Sequence, residues 1–328
     1  MMNIFLKWIR PCGRILKAIN GFFYDLVRFV RFSAWNSDMS DREKRNYHIA
    51  KTYHALEKSL SFKDRNATSG WSNAYLTLDI LKEAKYHGNF GYFDRTGLKA
   101  LKSFISLKNS KDLEKSADIN KKINSFDFHD EARHGSISYS KSDFEQGVLD
   151  KPESFFLSRY SLREFSNAQV DNDKIKRAIT LAAKAPSVCN RQAWHVYHSN
   201  ERDVIDGALK HQQGNKGFGD RIPNLMIITA DLNAFMPGQE HYQHWIDGGL
   251  FSMSLIHALH SLGVASCCLN WSQAPVNDKK LRKEFNVKPQ HTIIMMLAVG
   301  YPDEDNKVCV SSRRPIDEIY SNLEKYKN

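Results

Sequence analysis

Residues 158–196 read SRYSLREFSNAQVDNDKIKRAITLAAKAPSVCNRQAWHV, and the reading of this stretch decides the fold. Arg159 and Arg163 are separated by three residues, one of them Ser161. Two forked guanidinium donors and a hydroxyl in so short a run make a compact patch suited to a phosphate or another fixed anion. Asp171 to Asp173 carries cap chemistry, and Ile175, Ile179 and Ala182 recur at helical spacing until Pro186 stops the turn. The spacing predicts a helix of fixed length. Beyond it, Ser187, Asn190 and Gln192 are neutral groups that both donate and accept, suited to the polar edge of a heteroaromatic ring. One end of the stretch addresses an anion, the other a polar ring.

The stretch resembles the nitroreductase family of flavin enzymes, whose opening motif is R-[RY]-S-x-R-x-F and whose second is A-P-S-x-x-N-x-Q-P-W. They stand here as RYSLREF at 159–165 and APSVCNRQAW at 185–194, with Ala193 where the family usually has Pro. Either motif alone would also serve as surface capping or a plain helix stop; the pair at this separation is specific. The resemblance runs from residue 158 to about residue 320. It implies an α+β fold, a nitroreductase-like three-layer sandwich with a mixed central sheet, preceded by a mostly helical N-terminal region. It implies FMN as cofactor, its phosphate and ribityl chain held by Arg159, Tyr160, Ser161 and Arg163. Pro186, Ser187, Asn190 and Gln192 would reach the ring from the other subunit of a homodimer. GVASCCLNW at 263–271 is similar to the family's G-[LV]-x-[ST]-C segment, which assigns Leu269 and Asn270 main-chain N–H groups to the N5 and O4 edge, with Trp271 as a wall. RRPIDE at 313–318 resembles the closing R-R-P-[LI]-x-E, whose first arginine, Arg313, returns to the phosphate. The implied activity is transfer of hydride from NADPH or NADH through flavin N5 to a small oxidised acceptor of nitro, quinone or enone type, by a ping-pong mechanism. No catalytic side chain is assigned; Tyr242, His244 and Trp245 are the expected substrate contacts.

With 328 residues, 41% of them hydrophobic, the chain can bury two domains, and we expect segments 1–35, 36–150 and 151–328. The charged run between 108 and 151 reads as linker. Five cysteines without a C-x-x-C pair argue for reduced thiols and against a disulfide framework. Cys267 and Cys268, adjacent on a strand, should point to opposite faces. No apolar run approaches the roughly 18 residues of a membrane span, and Lys7, Arg10, Arg14 and Lys17 interrupt any signal-peptide core. The expected location is the cytoplasm. A net charge of +10 does not choose among nucleic acid, membrane and an anionic cofactor. No nucleic-acid-binding motif accompanies it, so nucleic acid is not expected as a partner.

Part of the charge lies in residues 5–32, where Trp8, Leu16, Ile19, Phe23 and Leu26 share one helical face and Lys7, Arg14, Lys17 and Arg28 the other. Such a segment can lie in an anionic membrane interface, giving peripheral attachment, or dock on its own chain. Pro11 and Gly13 should kink it, and Gly21 weaken it. HALEKSLS at 54–61 is similar to an H-x-[IL]-E-K-[GS]-L-S element of nitroreductase-like proteins from polysaccharide gene clusters. That gives an alternative reading: a membrane-associated, flavin-binding or flavin-free scaffold in surface polysaccharide biosynthesis. No metal site is expected. His129 and His134 are five apart and off one face, and the pairs His241/His244 and His257/His260 lack a third ligand. Strands are expected at 194–199, 225–230, 263–271 and 292–299, with helices at 202–212, 239–262 and 278–285. The Gly248-Gly249 pair inside a helix calls for close approach of another helix or a flat ligand.

Overall fold

A computed structural model describes residues 2–35, 38–63, 69–106, 112–124, 126 and 135–325, with side chains described from residue 13 onward. The side chain of Cys12 and the string from His129 to His134 lie outside the described residues. In chain order the helices of the N-terminal part are α1 (Met2–Phe32), α2 (Arg42–Ser61), α3 (Trp71–Tyr86), α4 (Tyr92–Ser106) and α5 (Leu113–Ile123), followed by α6 (Lys141–Glu145) and α7 (Pro152–Leu157). The C-terminal part runs α8 (Asn172–Ala182), β1 (Trp194–Ser199), α9 (Arg202–Leu209), β2 (Asn224–Asp231), α10 (Gln243–Ser261), β3 (Ala265–Asn270), α11 (Pro275–Glu284) and β4 (His291–Gly300).

The four strands form one sheet in the order β1-β2-β4-β3, antiparallel at every pairing. Among the described residues its parallel component is a single bridge between Ser161 and Ser266. Period-2 alternation gives the sheet two apolar faces. Leu225 and Ile227 of β2, with Met296 and Ala298 of β4, pack under Ile205 and Leu209 of α9 and Leu281 of α11. Met226, Ile228, Leu297 and Val299 face the other way, against Ala178 and Ala182 of α8 and Phe251 and Leu255 of α10. The result is a three-layer α+β sandwich. Cys267 is buried and Cys268 exposed, as strand alternation requires.

Gly248 has a reason other than a helix or a ligand. A Cβ built there would lie 2.5 Å from Ile294 Cγ1 of β4, so only glycine lets α10 approach the sheet this closely, while Gly249 faces open space.

The N-terminal helices have their own core. Ile49, Tyr53 and Leu56 of α2 meet Leu78 and Leu81 of α3, Leu98 and Phe104 of α4, and Ile119 and Ile123 of α5. Helix α5 falls inside the stretch that reads as linker; its two isoleucines at helical spacing are fully buried although its composition is polar. Arg45 and Asp94, both 0% exposed, form a buried pair whose remaining donors reach Met39 O at 2.7 Å and Asn89 O at 3.0 Å. Full satisfaction of this kind is what lets a buried ion pair persist.

Helix α1 is continuous through Pro11 and Gly13. It is tied down by its C-terminal half. The Tyr24 hydroxyl donates to Asp278 Oδ2 at 2.6 Å, and the Arg28 guanidinium donates to the Pro289 and His291 carbonyls at 2.9 and 3.0 Å. Phe29 joins Leu232, Ala234 and Phe235 in a small cluster. The other face, with Ile15, Ile19, Phe22, Phe23 and Leu26, is exposed. No described helix is long and apolar enough to cross a membrane.

Candidate functional site

The segment after α7 is laid along the edge of β3. Ser161 bridges Ser266, Leu162 N–H donates to Ser266 O at 3.2 Å, and Ser166 N–H donates to Tyr301 O at 3.0 Å. This fixes Leu162 against the core and leaves Arg159 and Arg163 to face outward. There they meet the C-terminal tail. Arg159, Ser161, Arg163, Ser311, Ser312 and Arg313 line one cavity of about 310 Å³, with Tyr160 beside them. Among the described residues none of these three arginines has a carboxylate partner. The Arg163 guanidinium lies 6.0 Å from the Phe218 ring centre and 3.8 Å from Cys309 Sγ, and Arg313 donates to Ser311 O. A concave site with three uncompensated guanidinium groups and several hydroxyls matches the donor set of a phosphate monoester. The residues present therefore fit the phosphate end of FMN. A larger cavity, about 680 Å³ between the end of α1 and the start of α2, holds none of these groups.

Helix α7 is held over the end of α10 by aromatic and histidine contacts. Phe155 lies 5.5 Å from His257 and 5.2 Å from His260, and the His260 ring nitrogen meets Ser158 Oγ at 3.0 Å. Burial, with Arg159 nearby, lowers the His257 pKa, so this histidine is neutral packing at pH 7. These contacts account for the His257/His260 spacing without a metal.

The second motif lies at the opposite edge of the sheet, leading into β1. Cys189, Asn190 and Gln192 have φ of 50°, 51° and 52°. Three non-glycine residues in the left-handed region within four positions make a strained turn that its surroundings must hold. The holders are charges, with Arg191 and Asp247 buried and Glu240 half-buried. Arg191, 1% exposed, donates to Val188 O at 3.2 Å, to Ala234 O at 2.5 Å and, bidentately, to Glu240 at 3.0 and 2.8 Å. Asp247 Oδ2 accepts from Val188 N–H at 3.1 Å, and Ser187 Oγ accepts from Gln192 N–H at 3.0 Å. Burial alone would raise the Glu240 pKa, but the Arg191 hydrogen bonds and charge pull it below its ordinary value. The Gln192 amide reaches Asn190 Oδ1 at 3.2 Å, so both present polar atoms at one surface. Sequence reasoning assigned no role to Arg191, Glu240 or Asp247. Arg191 carries a signal only in hindsight, as a charge between two strained positions.

Among the described residues of the single chain the two motifs line separate cavities. Gln192 lines a pocket of about 210 Å³ with Glu43, Tyr47, His195, Asp231 and His291, across the sheet from Arg159. Leu269 is buried at the end of β3, and Asn270 next to it is exposed, its carbonyl accepting from Gln212 Nε2 at 2.9 Å. The Trp271 indole N–H donates to Asp278 Oδ1 at 3.1 Å, and the ring is buried in the core cluster with Leu269 and Leu281, which fixes its orientation. Of the three expected substrate contacts, Tyr242 and Trp245 are exposed at the start of α10, whereas His244 is 5% exposed and stacks on Phe29 at 5.8 Å. Burial, then Arg28, pushes the His244 pKa down to about 4.

Residues 157–301 match the model of the nitroreductase family. A protein of Archaeoglobus fulgidus that carries the provisional name NADH dehydrogenase/NAD(P)H nitroreductase is 24% identical over 152 residues, 45% of this chain and 83% of its own length. Iodotyrosine deiodinase of Hydra vulgaris is 24% identical over 216 residues, 56% of this chain and 78% of its own. Among solved structures, an FMN-dependent nitroreductase from Clostridium difficile R20291 superposes with a TM-score of 0.45 at 20% identity, covering 52% of this chain and 98% of the other. The stretch that carries both motifs and the sheet, residues 157–301, is thus a domain of the nitroreductase family.

Proposed function

We propose that the protein is an FMN-dependent NAD(P)H oxidoreductase, a homodimer that reduces an oxidised organic acceptor of nitro, quinone or enone type in two half-reactions. The observation that carries the reading is the cavity where Arg159, Arg163 and Arg313 converge without carboxylate partners. Those three arginines, with Tyr160 and Ser161, hold the phosphate and ribityl chain, and the end of β3 at Leu269 and Asn270 offers main-chain donors to the ring. Bound there, FMN supplies reversible hydride chemistry at N5. Pro186, Ser187, Asn190 and Gln192, at the far edge of the sheet, complete the site of a second copy. The exposed α10 side chains Ile246, Leu250 and Met253 give that copy an apolar surface to bury. Segments 1–35 and 36–150 accompany the oxidoreductase domain of 151–328.

Reconstitution tests the reading. Charge-assisted hydrogen bonds contribute about 1.5–3 kcal/mol each, so Arg159→Ala, Arg163→Ala and Arg313→Ala should each weaken FMN binding about 10- to 100-fold while riboflavin binds as to wild type. A protein that takes up riboflavin as tightly as FMN, or arginine variants that bind FMN unchanged, would show that the cavity serves another purpose.

A second reading concerns α1. Phe22, Phe23 and Leu26 are exposed on the face away from the domain, with Arg14 and Lys17 nearby in sequence, which supports peripheral attachment to an anionic membrane. Flotation with anionic liposomes checks it: Phe22→Asp with Phe23→Asp should abolish binding, and retained binding rules out this face.

A further inference from the structure

Helix α2 lies outside residues 157–301, yet it packs against the strained turn at residues 188–190 and against residues 232–234. Tyr47 and Val188 share one apolar cluster with Ala193, Leu232 and Phe235. The Tyr47 hydroxyl donates to Asp231 Oδ2 at 3.0 Å, and the Asp231 N–H donates to Ala193 O at 2.8 Å. Asp231 is 3% exposed, and its Oδ1 accepts from the main-chain and side-chain nitrogens of Asn233, both at 2.9 Å. The His291 ring nitrogen stands 3.7 Å from Oδ2, beyond hydrogen-bond range, so Tyr47 is the close donor to that oxygen among the described residues. Burial and the Asp231 charge hold the Tyr47 pKa well above its ordinary value, so the hydroxyl stays a donor.

We propose that α2 is a positioning element of the flavin site, in which Tyr47, acting through Asp231, holds the turn that presents Asn190 and Gln192. The inference rests on the FMN reading, which assigns those two side chains to the ring. What calls for it is Ala193. The family motif has proline at this point, and proline locks its own φ. Alanine does not, so the left-handed residues Cys189, Asn190 and Gln192 lead into a position free to relax, and further constraint has to come from outside the motif. The Asp231 N–H supplies it at the Ala193 carbonyl, and Tyr47 anchors the carboxylate of the same residue. Loss of the hydroxyl leaves a buried carboxylate oxygen short of a donor. Its relief is to turn toward water, which draws the Asp231 N–H away from Ala193. The segment that supplies the anchor thus lies about 140 positions before the turn it holds.

The test uses the full chain. Tyr47→Phe keeps the ring in its cluster and removes the donor. It should weaken FMN and riboflavin by one and the same factor, about 2- to 12-fold, the equivalent of one net hydrogen bond, because the ring half of the site is loosened and the phosphate half is not. Amide exchange at residues 187–193 of the flavin-free chain, read by mass spectrometry, should quicken as well. Ile119→Ala is the control for stability alone. It opens the helical core at α5, which packs on α3 and α4, and should lower the melting temperature while leaving both flavin affinities and the exchange at 187–193 as in wild type. Tyr47→Phe with unchanged flavin affinity and unchanged exchange overturns the inference and leaves the FMN reading standing. Ile119→Ala that weakens the flavins as much overturns it too, since general instability then explains both variants. So does Tyr47→Phe that weakens FMN and spares riboflavin, which would place the effect at the phosphate. A wild-type chain that takes up neither flavin removes both readings.

Discussion

Replacing Arg191 by Met isolates what holds the second motif in its strained form. The side chain is 1% exposed and donates to two carbonyls and bidentately to Glu240. Removing one partner of a fully buried ion pair costs about 3–5 kcal/mol, but Glu240 is only half-buried and water reaches it, so the loss here is closer to that of the charge-assisted hydrogen bonds, about 1.5–3 kcal/mol. The three left-handed residues Cys189, Asn190 and Gln192 each hold strain of about 1–3 kcal/mol, which the Arg191 bonds offset. Arg191→Met should therefore lower unfolding stability by about 1.5–3 kcal/mol at pH 7, read from urea titration, and reduce the FMN retained after gel filtration. The double variant Arg191→Met with Glu240→Leu should recover part of the stability, since no lone charge remains, but not the cofactor. Acid provides an internal check. The Glu240 pKa is depressed in the fold, so its contribution is present above the unfolded value and is lost as pH falls through the folded one. The gap between wild type and Arg191→Met should accordingly narrow toward low pH. A loss below about 1 kcal/mol, with cofactor retained, would refute the idea that Arg191 holds the turn.

Other expectations follow from buried groups. The His244 pKa falls from 6.5 to about 4 in the fold, so its contribution of about 3 kcal/mol is present above pH 6.5 and is lost as pH drops toward 4. His244→Phe keeps the stack on Phe29 and should flatten that part of the stability profile, as denaturation at several pH values would show. Gly248→Ala should destabilise by about 1 kcal/mol, because overpacking against Ile294 outweighs the helix gain, and adding Ile294→Ala should remove the clash, both read by melting temperature.

The layers around the sheet were legible because their physics is local. Alternation at residues 225–228 and 296–299 places side chains on two faces by geometry alone, and the observed strands β1, β2 and β4 match their expected spans to within a residue at each end. What stayed hidden depended on distant partners. The Gly248 requirement comes from Ile294 on another element, and the Arg191 role comes from Glu240 and Ala234. Pro11 and Gly13 mark a break by propensity, yet α1 runs through both. Two isoleucines suffice to dock α5, although charge dominates its composition and masked the helix. For the site, the arginines of the first motif could be read as anion donors from residue type alone, whereas Arg313 was to be expected beside them only from the resemblance of RRPIDE, since the tail that carries it has no periodicity.

The placement of the two motifs at opposite edges of one sheet has a genetic consequence. In the proposed dimer every pocket draws one half from each copy, so two alleles damaged in different halves can rescue each other. A chain carrying Arg163→Ala and another carrying Asn190→Ala, each impaired alone, would when co-expressed form mixed pairs in which one pocket takes both lesions and the other takes none.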